Sequence, residues 1–482
     1  MSMLPFKKKP RLVLGTFGPP FLGGSFALGP SEIDSHKHVM GVTGQGKSKF
    51  LASLFVQLIN QGIPAGLVDP HSGLAADTLQ ILLDGGFFER SDAWRRLLYI
   101  DFGCRDRFVP FNVLNQPYDS HTVARNMAEV CKRAWPALAD GAAPNFENIL
   151  LASTLVLIDN QLPLTAMPKL LTDKPFREGL LRQVTDPYAL NFFHDRFDQW
   201  GRDMPTMLES TLRRIFLLTF SPTLRYSLGQ TENLLNFRRF MDEGISVIFN
   251  LGGLDEDTQR FLGCLLTVGY ETAALSRVDV PTSQRGHYEL LLDEFSMFSA
   301  QSEESLARVL SLCRKYGLLL TMAHQTWSQV SQRLAGALQN CVEIAFKLGR
   351  SDATRAAALF GKFDPLAVKH EVADPYQVDR THPIYFNMQE TFESWAQSLE
   401  SLKPRQAYVK VGDRTAKITT LTIAPAKRTR AELHKLMERY AQELLTPTEL
   451  LTSTAAVQVE QTGPVIVSRM VRLGKRLMSL ID

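Results

Sequence analysis

The residues whose types and spacing could do chemistry lie first in the run Gly41-Val42-Thr43-Gly44-Gln45-Gly46-Lys47-Ser48. The run satisfies G-x-x-x-x-G-K-[ST] at every defined position. Glycines let consecutive backbone N–H groups close around an anion with no Cβ in the way. The Lys47 ammonium can bridge terminal phosphates, and the Ser48 hydroxyl offers an oxygen ligand to Mg2+. Thr43, Gln45 and Lys49 complete the set of expected nucleotide-binding positions around Gly41, Gly44 and Gly46. Far downstream, Tyr288-Glu289-Leu290-Leu291-Leu292-Asp293-Glu294 ends an apolar run in two acids. Asp293 is expected to serve magnesium, and Glu294 to position and polarise a water. Together these groups point to ATP hydrolysis with Mg2+.

Such groups need elements that bring them together. A short strand, His38–Gly41, runs into the glycine-rich turn, and a helix is expected over Lys47–Gln61. Leu51, Leu54, Phe55, Leu58 and Ile59 recur on it at helical spacing, and Gly62 ends it. Further strands are expected at Ala65–Val68, Leu97–Phe102, Ile245–Leu251, Tyr288–Leu292, Leu318–Ala323, Val342–Leu348 and Gln406–Val411. Helices at about Leu74–Leu83, Asp255–Ser276, Glu303–Tyr316 and Ala353–Phe360 alternate with them. Alternation of this kind predicts an α/β fold with a mainly parallel central sheet covered on both faces. Ligands bind at the carboxyl ends of such strands, so Asp293 should share a rim with Gly44–Ser48. Asp69 and Asp101 also end strands. Either a site role or a turn-forming, helix-capping role fits them.

From about 118 to 243 the patterns are helical, with amphipathic stretches at Ser120–Ala134, Phe146–Ile158, Pro175–Gln183, Tyr188–Trp200 and Met207–Thr219. We read this as an all-helical insertion dividing an ATPase domain of residues 36–117 and 244–423. Residues 1–35 read as an irregular Gly/Pro-rich lead-in, with room for a strand at Arg11–Gly15. Residues 424–482 read as a basic helical tail.

The chain has 482 residues, 45% hydrophobic and 21% charged, with 53 basic against 50 acidic side chains. A net charge of +3 selects no partner, so any nucleic-acid contact must come from local clusters. Five scattered cysteines without metal spacing suit a reducing compartment and buried thiols. Prolines and glycines interrupt the N-terminal apolar stretch, which excludes a signal peptide, and the apolar windows Leu150–Ile158 and Phe261–Val268 are too short to span a membrane. A cytoplasmic protein is expected, with peripheral docking at the inner membrane left open.

The motifs taken together resemble a known family. Gly41–Ser48, Leu67-Val68-Asp69-Pro70-His71, Asp101 with Phe111-Asn112, Leu292-Asp293-Glu294-Phe295, and Arg314-Lys315-Tyr316-Gly317 followed by Ala323-His324-Gln325 are similar to the HerA/FtsK ATPases. Within them the likeness is greatest to conjugative coupling proteins of the TraD/TraG type, over about residues 36–420. The resemblance implies a RecA-like fold and a ring, usually hexameric, that pumps DNA by ATP hydrolysis. It also implies service to a relaxosome, secretion channel or nuclease, and an all-helical domain at the corresponding place in the sheet. The stretch before Gly41 is too short for the N-terminal membrane segment of coupling proteins or the β-barrel of HerA proteins.

Spacing adds two residues. Gln325 ends the strand Leu318–Ala323 and should sit on the catalytic rim, where an amide can sense the γ-phosphate or orient water. Arg314 lies near the far end of its helix, roughly 15–20 Å from the helix start at 1.5 Å per residue. It should miss its own nucleotide; either an arginine finger reaching a neighbour's nucleotide in trans or a solvated helix-end arginine capping carbonyls fits it. Arg350 is the other finger candidate. Arg213-Arg214, Arg238-Arg239, Lys427-Arg428-Thr429-Arg430 and the tail with Arg469, Arg472, Lys475 and Arg476 are basic clusters, suited either to solvent or to DNA phosphates without base readout. Two other classes remain open: a ring ATPase powering secretion or machine assembly, and a nucleotide-dependent scaffold.

Overall fold

The structure is a computed structural model that describes residues 10–18, 23–135, 145–299, 309–329, 332–338, 340–373 and 381–448. In chain order the strands are β1 Leu12–Phe17, β2 Gly24–Leu28, β3 Lys37–Met40, β4 Ala65–Asp69, β5 Leu97–Asp101, β6 Arg107–Phe108, β7 Ser246–Asn250 and β8 Tyr288–Leu292. They continue with β9 Leu318–His324, β10 Val342–Ala345, β11 Val368–Ala373, β12 Thr381–Tyr385, β13 Gln406–Val411, β14 Arg414–Thr420 and β15 Thr446–Pro447. Eleven of them form one sheet in the order β2-β1-β14-β13-β10-β3-β9-β8-β4-β7-β5.

From β10 to β5 every pairing is parallel. Strands β4, β7, β8 and β9 are buried along their whole length, as continuous apolar runs between two helical layers must be. Beyond β10 the sheet continues through β13, β14, β1 and β2, all paired antiparallel. The strand allowed at Arg11–Gly15 is present as β1, but β2 pairs with it and both belong to the central sheet, which corrects the reading of residues 1–35 as an irregular lead-in. Glycines and prolines around them masked a short amphipathic hairpin. β14 escaped sequence reasoning for a related reason: Thr415, Lys417 and Thr419 give it a polar face, partly exposed at this end of the sheet.

The helix Lys47–Asn60 buries Phe50, Leu51, Leu54, Phe55, Leu58 and Ile59. It stops where Gly62 takes φ of 78°, a left-handed turn that side chains resist. The helix Glu256–Ser276 starts at Asp255, whose carboxylate accepts the Thr258 N–H at 2.9 Å. From Asp119 to Glu243 the described residues form helices and turns, with one bridging pair, Phe111 to Asn233. Their anchor to the sheet is the helix Ser120–Ala134, packed along Glu256–Ser276. Arg133 donates to Glu271 at 2.8 Å across that contact, with both side chains buried.

The expected helix over Tyr188–Trp200 is three pieces instead. Pro187–Asn191 is α-helical, Phe192–Phe197 widens to a π turn, and Asp198–Asp203 tightens to a 3-10 turn broken at Gly201. The widened turn lets Phe192, Phe193 and Phe197 all reach the core. Of the expected helix Glu303–Tyr316, residues 303–308 lie outside the described residues. The rest is helical over 309–312 and a 3-10 turn at Cys313–Tyr316. The tail helix Arg430–Leu444 packs on the β5 edge, where buried Tyr440 donates to Leu97 O at 2.8 Å. The basic cluster from Arg469 to Arg476 lies outside the described residues. Among the described residues no single helix is long and apolar enough to cross a membrane.

Candidate nucleotide site

The turn after β3 is built by glycine conformations. Gly44 and Gly46 take φ of 79° and 102°, which residues with a Cβ resist. At Gly41 the constraint is proximity: an added Cβ would lie 2.6 Å from Phe346 Cβ, and Val42 N–H donates to Lys347 O at 2.9 Å. The segment after β10 therefore supports the turn from behind. Lys47 is buried, and its ammonium donates to the carbonyls of Gly41 and, at 3.3 Å, Val42. Burial lowers its pKa, opposed by the Glu294 and Asp293 carboxylates.

Strand order brings the acids to this turn. β9 lies between β3 and β8, so the ends of all three share one rim. Ser48 Oγ donates to Asp293 Oδ2 at 3.2 Å. Asp293 is buried, and burial, then Glu294, then Asp69, raise its pKa to about 6. A hydroxyl and a carboxylate side by side form a hard oxygen pair that suits Mg2+, which takes few protein oxygens and keeps its waters. Lys47 beside left-handed glycines suits phosphate. The residues present thus fit ATP and Mg2+.

Glu294 takes φ of 47°, a left-handed backbone for a residue that is not glycine. Such a conformation costs roughly 1–3 kcal/mol and persists where the surroundings impose it. The turn is held by Phe295 N–H donating to Ala323 O at 2.9 Å and Glu294 N–H donating to Asp293 Oδ1 at 3.1 Å. Gln325 joins the two loops. Its Nε2 donates to Glu294 Oε1 at 2.8 Å, and its Oε1 accepts from Thr43 Oγ1 at 3.1 Å.

Other expected residues are placed elsewhere. The Lys49 side chain turns to Asp77, 2.6 Å away on the next helix, so its expected nucleotide contact is not made by the ammonium. Asp69 accepts the His71 and Ala75 N–H groups at 2.8 and 2.7 Å, the helix-capping role. Asp101 is tied to Tyr99, Gly103 and Asn250. Arg314 precedes β9 while Gln325 follows it. They lie at opposite ends of a seven-residue strand, about 20 Å apart. Arg314 is half exposed and 3.8 Å from Asp34. Arg350 is engaged by Glu393 at 2.7 Å and Glu400 at 3.1 Å.

Sequence reasoning missed Arg405. Its N–H donates to Gln45 O at 2.9 Å, its φ is 70°, and its guanidinium is fixed by Thr420 O and Thr422 Oγ1. It forms an outer wall beside Gly46. The only signal was its place just before an expected strand.

No protein-family model matches the chain, and no curated protein matches it in sequence. Solved structures do match. The bacterial conjugative coupling protein TrwBdeltaN70 superposes with a TM-score of 0.56 at 18% identity, over 84% of this chain and 88% of that one. The fold is that of the coupling-protein ATPases. Plasmid coupling protein TrwB in complex with ADP and Mg2+ gives 0.54 at 18% identity, over 83% of this chain and 89% of that one. VirB4 of Thermoanaerobacter pseudethanolicus gives 0.52 at 13%, over 86% of this chain and 96% of that one. At these identities the likeness is one of fold, and it agrees with the P-loop ATPase architecture of the HerA/FtsK type read from the motifs. In the coupling-protein fold of this chain the phosphate turn, the acid pair and Gln325 end three neighbouring strands.

Proposed function

We propose that this chain is one subunit of an ATP-hydrolysing ring motor that moves DNA. The single observation that carries the reading is the continuous set Thr43–Gln325–Glu294 beside Ser48–Asp293 and Lys47, all on one rim. Mg2+, when bound, would neutralise charge between the phosphates. Ser48 and Asp293 would hold it, and Lys47 would balance charge on the terminal phosphates. Glu294 would orient a water and accept its proton, a role worth roughly 10²–10⁴ in rate. Gln325 would report the state of the terminal phosphate, since it bonds both the turn and Glu294.

Arg314 supports a ring. It lies beyond reach of the rim on its own chain, and at a subunit boundary it would complete a neighbour's site. Arg350, held by two glutamates, suits that role less. We further propose that residues 118–243 act as an accessory helical domain, and that DNA phosphates are gripped without base readout. A hexamer and DNA as the load would follow from the motif resemblance to the HerA/FtsK ATPases, and the fold likeness to a conjugative coupling protein is compatible with both.

The test is ATP hydrolysis with and without single-stranded and duplex DNA at low salt. Stimulation by either is expected, weakening steeply as salt rises. An unchanged rate together with no DNA complex would remove DNA as the load and leave a motor for secretion or assembly.

A further inference from the structure

The rim rests on a buried polar chain that crosses three strands. Glu343 on β10, His38 on β3 and His324 on β9 lie side by side, each at most 1% exposed. His38 Nδ1 is 2.6 Å from Glu343 Oε2, and His38 Nε2 is 2.6 Å from His324 Nε2. His324 Nδ1 is 2.9 Å from Thr326 O, so its ring closes the turn that contains Gln325. The rings of Trp327 and Phe295 pack against His324, at 5.8 and 5.4 Å between centroids, and seal it from water.

Hydrogen-bond bookkeeping fixes the protons. Thr326 O can only accept, so His324 Nδ1 carries a hydrogen. In neutral His324, Nε2 then accepts, so His38 Nε2 must donate. His38 Nδ1 is left as an acceptor, and Glu343 must supply an O–H to it. The opposite arrangement needs a carboxylate at Glu343 and a charged His324, both buried. Glu343 Oε1 has no hydrogen-bond partner, which a neutral acid tolerates better than an anion. Burial agrees, raising the Glu343 pKa well above normal against the opposing pull of Lys410, its partner across on β13, and lowering both histidines to about 3.

We propose that Glu343, His38 and His324 form a one-directional, neutral hydrogen-bonded chain that positions Gln325 against Glu294 for hydrolysis. The three are positioning residues, and the inference rests on the ATP-hydrolysing reading of the rim. The chain runs from β10, which backs the phosphate turn, through the phosphate-turn strand itself, to the loop that bridges Thr43 and Glu294. A break in it would loosen the Gln325 turn without touching the phosphate cradle.

Two measurements test this. Long-range 15N–1H spectra of histidine-labelled, nucleotide-free protein at neutral pH should show His38 as the Nε2–H tautomer and His324 as the Nδ1–H tautomer. Swapped tautomers, or a charged ring at either position, would overturn the chain. In kinetics, Glu343→Gln keeps an N–H for His38 and should hold kcat within about threefold, whereas Glu343→Met should lower kcat by about tenfold to a hundredfold with KM for ATP unchanged. A Glu343→Met variant with normal kcat, or one whose loss lies in KM alone, sinks the positioning role. If Glu343→Met does not fold, His38→Leu, which has neither donor nor acceptor, takes its place: its loss should again lie in kcat, and a normal kcat counts against the role. Wild-type protein that binds ATP but never hydrolyses it would instead overturn the functional reading, and the tautomers would then mark a purely structural chain.

Discussion

At the scale of single residues, the proposed function separates groups that would bind from groups that would react. Lys47 and the left-handed glycines belong to binding, so Lys47→Ala should abolish ATP binding measured by equilibrium titration. On the proposed function Glu294 belongs to the chemistry. Glu294→Gln should bind ATP normally yet hydrolyse it at least about 10²-fold more slowly, read by phosphate release. A variant with near-normal turnover would remove Glu294 as the water's partner. Gly41 to Ser48 were legible in the sequence because the cradle is contiguous, and its spacing alone states the chemistry. Asp293 and Glu294 were legible because acids ending an apolar strand must lie on the rim of a parallel sheet. The bridge from Thr43 through Gln325 to Glu294 was not, because it depends on which strand lies between β3 and β8. The left-handed Glu294 was equally hidden, since nothing in its neighbours' types calls for that conformation.

At the scale of elements, a second polar layer crosses β3, β9 and β8 nearer their starts. Lys37 on β3 pairs with Glu289 on β8 at 2.9 Å, both fully buried, and Thr321 on β9 also donates to Glu289. Burial opposes the Glu289 charge, but Lys37, His287 and Thr321 outweigh it and hold its pKa at about 2, below the usual 4.5. A depressed carboxyl contributes stability that is present above the unfolded value and lost as pH falls through the folded one. Unfolding midpoints in denaturant should therefore fall between about pH 4.5 and 2, and Lys37→Met should flatten that decline. The same variant should cost about 3–5 kcal/mol near neutral pH, because Glu289 stays buried without its cation. A loss below about 1 kcal/mol would show that the pair is dispensable. The apolar strands β4, β7, β8 and β9 were readable from composition because burial on both faces demands it. β2, β14 and the exposed hairpin β11–β12 were not, since half-exposed strands carry the polar residues of loops.

At the scale of the whole molecule, Arg314 lies at the far end of β9 from the rim, so in the proposed ring each subunit's site would need a neighbour's arginine. Arg314→Ala should retain ATP binding and lose hydrolysis by about 10³-fold or more. Mixing it with Lys47→Ala should restore part of the rate, because some boundaries then pair an intact cradle with an intact arginine. Absence of rescue in rings shown to be mixed would count against action in trans. Arg133 and Glu271 form one buried link between the helical residues from Asp119 to Glu243 and the helix Glu256–Ser276, so the cost of breaking that pair should fall on their docking. Replacing Glu271 with Gln should raise protease sensitivity there before it affects nucleotide binding.

The antiparallel end of the sheet sets a schedule for synthesis. β1 needs β14 beside it, and Gly15 lies opposite Thr420, so a ribosome must add about four hundred residues before the first strand finds its inner neighbour. At about 5–20 residues per second that interval is roughly 20–80 s. For that time the β1–β2 hairpin shows an unpaired edge to the cell. Nascent chains stalled short of β14 should accordingly bind chaperones through their first thirty residues, and a release of that binding should coincide with emergence of β14 rather than with completion of the phosphate turn.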